Sequence, residues 1–277
     1  MQKCLNSILQ QDYERFEVIA LDGGSIDKTT TILENLAKVR IIHSKINILG
    51  YMRQLGVENS AGDIIAFKDS DIIIPDKSWI SRMTSLLLDC MALDNRVVAI
   101  FTLWKYSREE KCVRRYTTLY CNFILRRNGV LRHGDLLKTS FWGTGETLIV
   151  KKAIEDVGGF NRSIHYYEDL DLSGRMVAKG YTFIISTRKL DAVLHIYADS
   201  FTVYLRKFYI MSKLGVIQFG GKQNLLKDIL SIPWSVLCMT REISRDRDPC
   251  WIFHPVLRVA RVFLRSLVFI KYTFTRP

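Results

Sequence analysis

The sequence has no internal repeat, no low-complexity linker and no cysteines paired at metal-ligand spacing. Six cysteines spread over 277 residues are also too sparse for a disulfide scaffold, so we expect reduced structural thiols. Residues 1–9 contain no apolar core of signal-peptide length. These absences exclude a disordered or repeat protein and predict a cytoplasmic protein with one large α/β domain or one domain with an appendage.

Acidic residues are scarce toward the C-terminal end. Residues 201–277 contain thirteen Lys/Arg and four Asp/Glu, so nine of the chain's twelve net positive charges lie there. Such a region can bind polyanions or an anionic membrane surface. Because its basic residues are interleaved with aliphatic residues at helical spacing, the pattern favours a membrane surface, and we expect no nucleic-acid binding.

Residues 251–274 are apolar over the length of a membrane span, but Arg258, Arg261 and Arg265 interrupt them. Each arginine would cost about 2.5–3.5 kcal/mol near the bilayer centre, so spanning is not expected. Their spacing of three and four residues predicts that the arginines form a stripe along one side of a helix. The opposite side would carry an apolar stripe of Leu257, Val259, Phe263 and Leu267. Two interpretations stay open, an amphipathic helix peripheral on the cytoplasmic membrane face and a helix packed on the domain.

Strand and helix patterns alternate along the first two hundred residues. Apolar strands are predicted at 17–22, 39–43, 63–68, 96–104 and 147–150, and helices at 29–38, 50–59 and 168–178. This alternation predicts a Rossmann-like, mostly parallel sheet flanked by helices. We therefore predict two regions, an α/β domain at 1–200 and a basic helical region at 201–277.

The segment Asp69-Ser70-Asp71 follows the apolar strand that ends at Lys68. Polar turns at the carboxyl ends of strands are where open α/β sheets bind ligands. In an extended chain both carboxylates point the same way, and hard divalent cations prefer such oxygen ligands. A solvated turn is the alternative interpretation of an isolated Asp-x-Asp.

Several motifs occur in an order that resembles family 2 glycosyltransferases. They are Phe16-Glu17-Val18-Ile19, Asp22-Gly23-Gly24-Ser25, Gly50-Tyr51-Met52-Arg53, Asp69-Ser70-Asp71, Gly158-Gly159-Phe160-Asn161 and Glu168-Asp169-Leu170-Asp171-Leu172. The resemblance covers residues 3–200. It implies the GT-A fold and transfer of a sugar from a nucleotide-diphosphate sugar to a glycan or a polyprenyl-linked acceptor.

The resemblance also implies a nucleotide-sugar site. Asp22 and Arg53 would contact the donor, Asp71 would bind a metal ion directly, and Asp69 would lie near the ribose or the metal. His195 stands where some relatives place a histidine ligand. Oxygen ligands with one imidazole suit Mn²⁺, and Mg²⁺ is the alternative. UDP-sugar is the expected donor, followed by GDP-sugar.

On the acceptor side, the resemblance makes Asp169 the catalytic base of an inverting displacement. Glu168 would support that base or contact the acceptor, and Trp142 and Gly143 resemble the acceptor-side loop. Trp142 as a core residue is the alternative. Rival functions are a non-catalytic nucleotide- or glycan-binding protein and a nucleotidyltransferase.

One departure from the family pattern is the lack of its usual first strand. Residue 1 falls inside what should be the following helix, which predicts either a longer natural chain or a degenerate protein without turnover.

Overall fold

The computed structural model describes residues 1–141, 143–198, 200–219 and 225–274. They form two compact units. Unit 1 comprises residues 1–105 and 124–195, and unit 2 comprises residues 106–123 and 196–277. Unit 2 thus includes residues 106–123 in addition to the C-terminal region.

Unit 1 alternates short strands with helices, as the apolar periodicity indicates. Its helices are α1 (Gln2–Leu9), α2 (Thr29–Glu34), α3 (Leu49–Asn59), α4 (Trp79–Leu93), the end of α5 (Cys112–Asn128), α6 (Lys151–Glu155) and α7 (Glu168–Ala178). Its strands are β1 (Val18–Asp22), β2 (Val39–His43), β3 (Ile64–Lys68), β4 (Ile72–Ile73), β5 (Val97–Thr102), β6 (Trp104–Lys105), β7 (Gly129–His133), β8 (Leu136–Thr139), β9 (Glu146–Val150), β10 (Thr182–Ser186) and β11 (Val193–His195). Helix α2 is shorter than predicted, whereas α7 begins and ends where the sequence predicted.

The strands form three sheets. A six-stranded sheet has the order β3-β9-β5-β10-β8-β7, β1 pairs with β2 alone, and β4-β11-β6 form a short third sheet. The α/β class with flanking helices is confirmed. The strand directions differ from the mostly parallel sheet that we expected, because β9 inserts antiparallel between β3 and β5 and the β7–β8 hairpin adds antiparallel strands to β10.

Both faces of the six-stranded sheet are covered. Strand β5 is buried along its whole length, with Phe101 in one apolar cluster and Ile100 in the other. The first cluster includes Leu172 of α7, and the second includes Trp79 of α4. Burial on both faces explains why this strand reads as a continuous apolar run.

Unit 2 contains the first part of α5 together with α8 (Phe201–Phe219), α9 (Leu225–Asp246) and α10 (Phe253–Phe274), the last preceded by a 3-10 turn at Pro249–Ile252. Tyr116 and Trp251 are fully buried in its core. Cys112 and Cys250 form a disulfide with a Cα–Cα distance of 5.4 Å. The expectation of reduced thiols is therefore wrong for this pair, because the fold brings together two cysteines that lie 138 residues apart in the sequence.

The arginine stripe of α10 faces neighbouring helices. Arg258 and Arg265 bind Asp228 of α9, and buried Arg261 lies 4.2 Å from the centre of the Tyr120 ring of α5. Leu257 is also buried, so it does not belong to the opposite face as predicted. Since Leu257 and Arg261 are four residues apart, they share one helix face.

Among the described residues, no helix is both long enough and apolar enough to cross a bilayer.

Candidate functional site

Asp22 ends β1 at the turn formed by Gly23 and Gly24. Its buried carboxylate accepts a hydrogen bond from the Ser25 amide at 3.1 Å and lies 3.2 Å from Nδ1 of His43, at the end of β2. The hydrogen bonds of Ser25, with a smaller contribution from His43, lower the pKa of Asp22. The carboxylate thus stays ionised and can accept hydrogen bonds from a ligand.

Asp71 and His195 meet where β4 pairs with β11. Residue His195 is directly opposite Ile72 in this pairing, which places its Nε2 atom 3.2 Å from Oδ1 of Asp71. The imidazole is buried and packs edge-on against the Trp104 indole, with ring centres 4.1 Å apart. Two residues predicted to bind a metal therefore lie together, although 124 positions separate them in the sequence.

Asp69 is engaged by Arg53 instead. The buried guanidinium of Arg53 donates from Nη2 to Oδ1 of Asp69 at 3.1 Å and from Nε to Oε1 of Glu168 at 2.8 Å. Arg53 was predicted to contact the donor, and its position between two carboxylates shows that it links the Asp-x-Asp segment to the start of α7. Glu168, a predicted support of the base or acceptor contact, is itself buried beneath this bridge.

Helix α7 presents Asp169 in its first turn. The residue before the helix, Tyr167, has a left-handed backbone with φ of 67°, a conformation uncommon for a residue with a bulky side chain.

Burial raises the pKa of Glu168 to about 7 and also raises the pKa of Asp169, while Arg53 opposes both shifts. A carboxylate of raised pKa is a better proton acceptor.

The loop at residues 143–145 lies between Asp69 and Asp169. A Cβ atom on Gly145 would lie 3.0 Å from Oδ2 of Asp69, and one on Gly143 would lie 3.8 Å from Oδ2 of Asp169. The Thr144 backbone also hydrogen-bonds Asp169. The absence of side chains at the two glycines lets one loop contact both carboxylates. The predicted acceptor residue Trp142 lies outside the described residues.

Sequence reasoning missed two ionisable side chains whose terminal atoms are buried on neighbouring strands. Lys68 and Glu146 are directly opposite each other on β3 and β9. Burial lowers the pKa of Lys68 to about 7 and raises that of Glu146 to about 8, and the ammonium lies 3.9 Å from the centre of the Trp79 ring. A lysine inside the apolar run before Asp69 was the available signal, since lysine side chains are rarely buried.

The donor atoms at Asp71 and His195 fit a divalent cation as two protein ligands. Across the ranges that the structure describes, no group of three or more His, Cys, Asp or Glu side chains is arranged to hold a metal ion. The pair thus suits an ion that takes its other ligands from a bound diphosphate or from water.

Comparison with known proteins identifies the family. The family model described as "Glycosyl transferase family 2" matches residues 1–140. The glycosyltransferase AglE of Haloferax volcanii is 26% identical over 192 residues, which cover 66% of this chain and 58% of AglE. The putative glycosyltransferase EpsH of Bacillus subtilis is 36% identical over 75 residues, 26% of this chain and 22% of EpsH. The matches thus span less than two thirds of these relatives.

Two solved structures share the fold. The mannosyltransferase PcManGT of Pyrobaculum calidifontis, solved with GDP-Man and Mn²⁺, has a TM-score of 0.56 at 15% identity, with 99% of this chain and 71% of that chain covered. Residues 1–349 of S. aureus TarS give a TM-score of 0.50 at 16% identity, covering 99% of this chain and 87% of that chain. With a family model that matches half of its length and a fold shared with these GT-A structures, this chain belongs to glycosyl transferase family 2.

Proposed function

We propose that this chain is a hexosyltransferase that moves a sugar from a nucleotide-diphosphate sugar to a glycan or lipid-linked acceptor, by metal-assisted single displacement with inversion. The observation that carries the proposal is the loop at residues 143–145, which lies close to Asp69 at Gly145 and hydrogen-bonds Asp169 through the Thr144 backbone. A donor sugar held on the Asp69 side would expose its anomeric carbon to a hydroxyl positioned by Asp169.

In the proposed step, the acceptor oxygen forms a bond to the anomeric carbon while the bond to the diphosphate oxygen breaks. The hydroxyl proton passes to Asp169, and the bonding electron pair leaves with the nucleoside diphosphate. A bound Mn²⁺ or Mg²⁺ supplies positive charge that stabilises this leaving group. Asp71 and His195 would hold the ion, and Asp22 would contact the base or ribose.

Arg53 has a positioning role in this scheme. Its bonds to Asp69 and Glu168 join the donor side of the site to the helix that carries Asp169. Glu168 fixes the orientation of Arg53 and, through the backbone of α7, the position of its neighbour. Both side chains support the geometry without touching the reacting atoms.

UDP-sugar is the proposed donor, and GDP-sugar is the second candidate. PcManGT was solved with GDP-Man, which carries the other base, so both nucleotides belong in the test. The acceptor is proposed at the level of a glycan or a polyprenyl-linked sugar.

The test is calorimetric titration of the purified chain with UDP and with GDP, with and without Mn²⁺, followed by product analysis with the matching sugar donors. Asp71→Asn removes a proposed ligand, and Asp89→Asn, at an exposed position on α4, is the matched control.

We expect Mn²⁺-dependent binding of one nucleotide that is lost in Asp71→Asn and retained in Asp89→Asn, with an inverted glycosidic product. Binding without turnover of any donor would instead favour a non-catalytic nucleotide-binding protein. Equal binding by Asp71→Asn would exclude the proposed metal site.

A further inference from the structure

Helix α10 and the residue before it expose an apolar face. The exposed residues Ile252, Val256, Val259, Phe263, Leu267 and Ile270 recur at spacings of three and four and form one stripe. At 1.5 Å per residue, this stripe is about 27 Å long. The arginines of the same helix are engaged inside unit 2 together with buried Leu257, Val262 and Val268, so the exposed stripe is a second apolar face of the helix. A continuous exposed apolar stripe of this length marks an interaction surface.

The stripe borders an apolar groove between α10 and α8. Leu205, Tyr209, Ala260, Phe263 and Leu264 line this groove, which has a volume of about 440 Å³, and Arg206 lies at its edge. Phe263 belongs to both features, which joins them into one surface. A neighbouring helix, α9, adds a second exposed set that includes Trp234.

The exposed charge of these helices has a single sign. Their four acidic residues are buried or half-buried and engaged: Asp228 with Arg258 and Arg265, Glu242 with Arg245, Asp246 with the Trp251 indole, and Asp248 with Arg115. The basic residues at 206, 241, 245, 247 and 271 are exposed. The exposed charge of these helices is consequently positive, and Arg206 lies beside Phe263 of the stripe.

We propose that the α8–α10 surface docks on an anionic lipid bilayer, with the apolar stripe inserted among the acyl chains and the basic side chains at the headgroups. A straight row of apolar side chains suits a planar surface, and exposed arginines gain energy from anionic headgroups. A second copy of the chain is the less suitable occupant, because it would bring two positively charged surfaces together. This inference does not depend on the proposed sugar transfer.

The test is cosedimentation of the full chain with phosphatidylcholine vesicles that contain or lack phosphatidylglycerol, without any sugar nucleotide. The double variant Phe263→Asp with Leu267→Asp removes the centre of the stripe. Leu93→Asp is the matched control, since Leu93 is 86% exposed on α4 of unit 1. Because the substituted side chains are already exposed, the variants should fold, and circular dichroism checks this.

We expect wild type and Leu93→Asp to bind the anionic vesicles and to dissociate as salt rises. The double variant should bind at least about tenfold more weakly, and Arg206→Glu should weaken binding to anionic vesicles selectively. Failure of the folded wild type to bind, or equal binding by the double variant, would overturn the proposal. Sedimentation velocity that shows a dimer dissociated by the double variant, with no vesicle binding, would assign the surface to a second copy.

Discussion

The Nε2 atom of His195 lies 3.2 Å from Oδ1 of Asp71, across the pairing of β11 with β4. Neither strand exceeds three residues, so this contact depends on the packing that holds the short sheet in place. Buried Ile72, which follows Asp71, anchors that strand in the core on one face of the main sheet. The packing of this short sheet thus holds the two side chains beside each other.

We expect His195→Gln to weaken Mn²⁺ binding in the presence of nucleotide by about tenfold or more, because an imidazole ligand is replaced by a weaker amide oxygen. The measurement is calorimetric titration of Mn²⁺ at saturating nucleotide. If His195 and Asp71 hold the same ion, adding Asp71→Asn should reduce binding by much less than the product of the two single effects. Independent, multiplicative effects would mean that the two residues do not share a ligand.

Removing the guanidinium at position 53 should destabilise the protein. Arg53→Met leaves the buried carboxylate of Glu168 without its partner, which we expect to cost about 3–5 kcal/mol in the free energy of unfolding. Urea denaturation followed by fluorescence measures it. The double variant Arg53→Met with Glu168→Leu removes both charges and should recover at least about half of the loss. No recovery would show that Arg53 stabilises the fold by packing alone.

Gly145→Ala should impair donor binding by displacing Asp69. Gly145 has φ of 115°, and its added Cβ would contact Oδ2 of Asp69 at 3.0 Å and Cδ1 of Ile72 at 3.1 Å. Gly134→Ala is the control, because Gly134 also has positive φ, 58°, but its Cβ would meet nothing within 4 Å. Both variants should lose about 1–2 kcal/mol of stability from backbone strain. Nucleotide affinity should fall only in Gly145→Ala, and equal affinities would contradict the proposed role of the loop.

The stability of unit 2 should depend on pH through His254. Burial, reinforced by Arg261 and Arg258, lowers the pKa of this imidazole from 6.5 to about 4, and its Nδ1 lies 2.9 Å from the Tyr116 hydroxyl. Between these two pKa values the unfolded chain binds the proton more tightly than the folded chain does. Stability is therefore fully present above pH 6.5 and is lost as pH falls toward 4, by up to about 3 kcal/mol.

The measurement is urea denaturation across that pH range for wild type and His254→Gln. We expect a smaller loss of stability in the variant, which retains a polar side chain near Tyr116 but cannot be protonated. The same pH dependence in both proteins would assign the loss to other groups.

The local sequence pattern predicted the bounds of a helix or strand correctly where long-range packing favoured the same structure. The helix at 168–178 and the strand at 39–43 have the predicted bounds, because an acidic first turn and an apolar run are local signals. Strand direction was less accessible, because the antiparallel insertion of β9 between β3 and β5 depends on pairing with strands that lie far away in the sequence.

The site was predictable as a set of residues and less so as a set of contacts. The spacing of Asp69 and Asp71 suggests that they act together, yet one binds Arg53 and the other lies beside His195. Their separation depends on the turn between β3 and β4, which ends the extended conformation before Asp71. The Cys112–Cys250 bridge was equally inaccessible, since spacing alone does not determine which cysteines pair.

Strands β1 and β2 pair only with each other among the described residues, and two-stranded sheets are marginally stable. Asp22 and His43, the terminal residues of these strands, lie opposite each other in the parallel register, and their side chains are 3.2 Å apart at the corner where the proposed nucleotide would bind. A ligand that bridges this corner would crosslink the least supported sheet of unit 1. Donor binding would then be coupled to ordering of the β1–β2 sheet. Part of the binding free energy would be offset by the entropy that is lost when the surface that contacts the base becomes rigid.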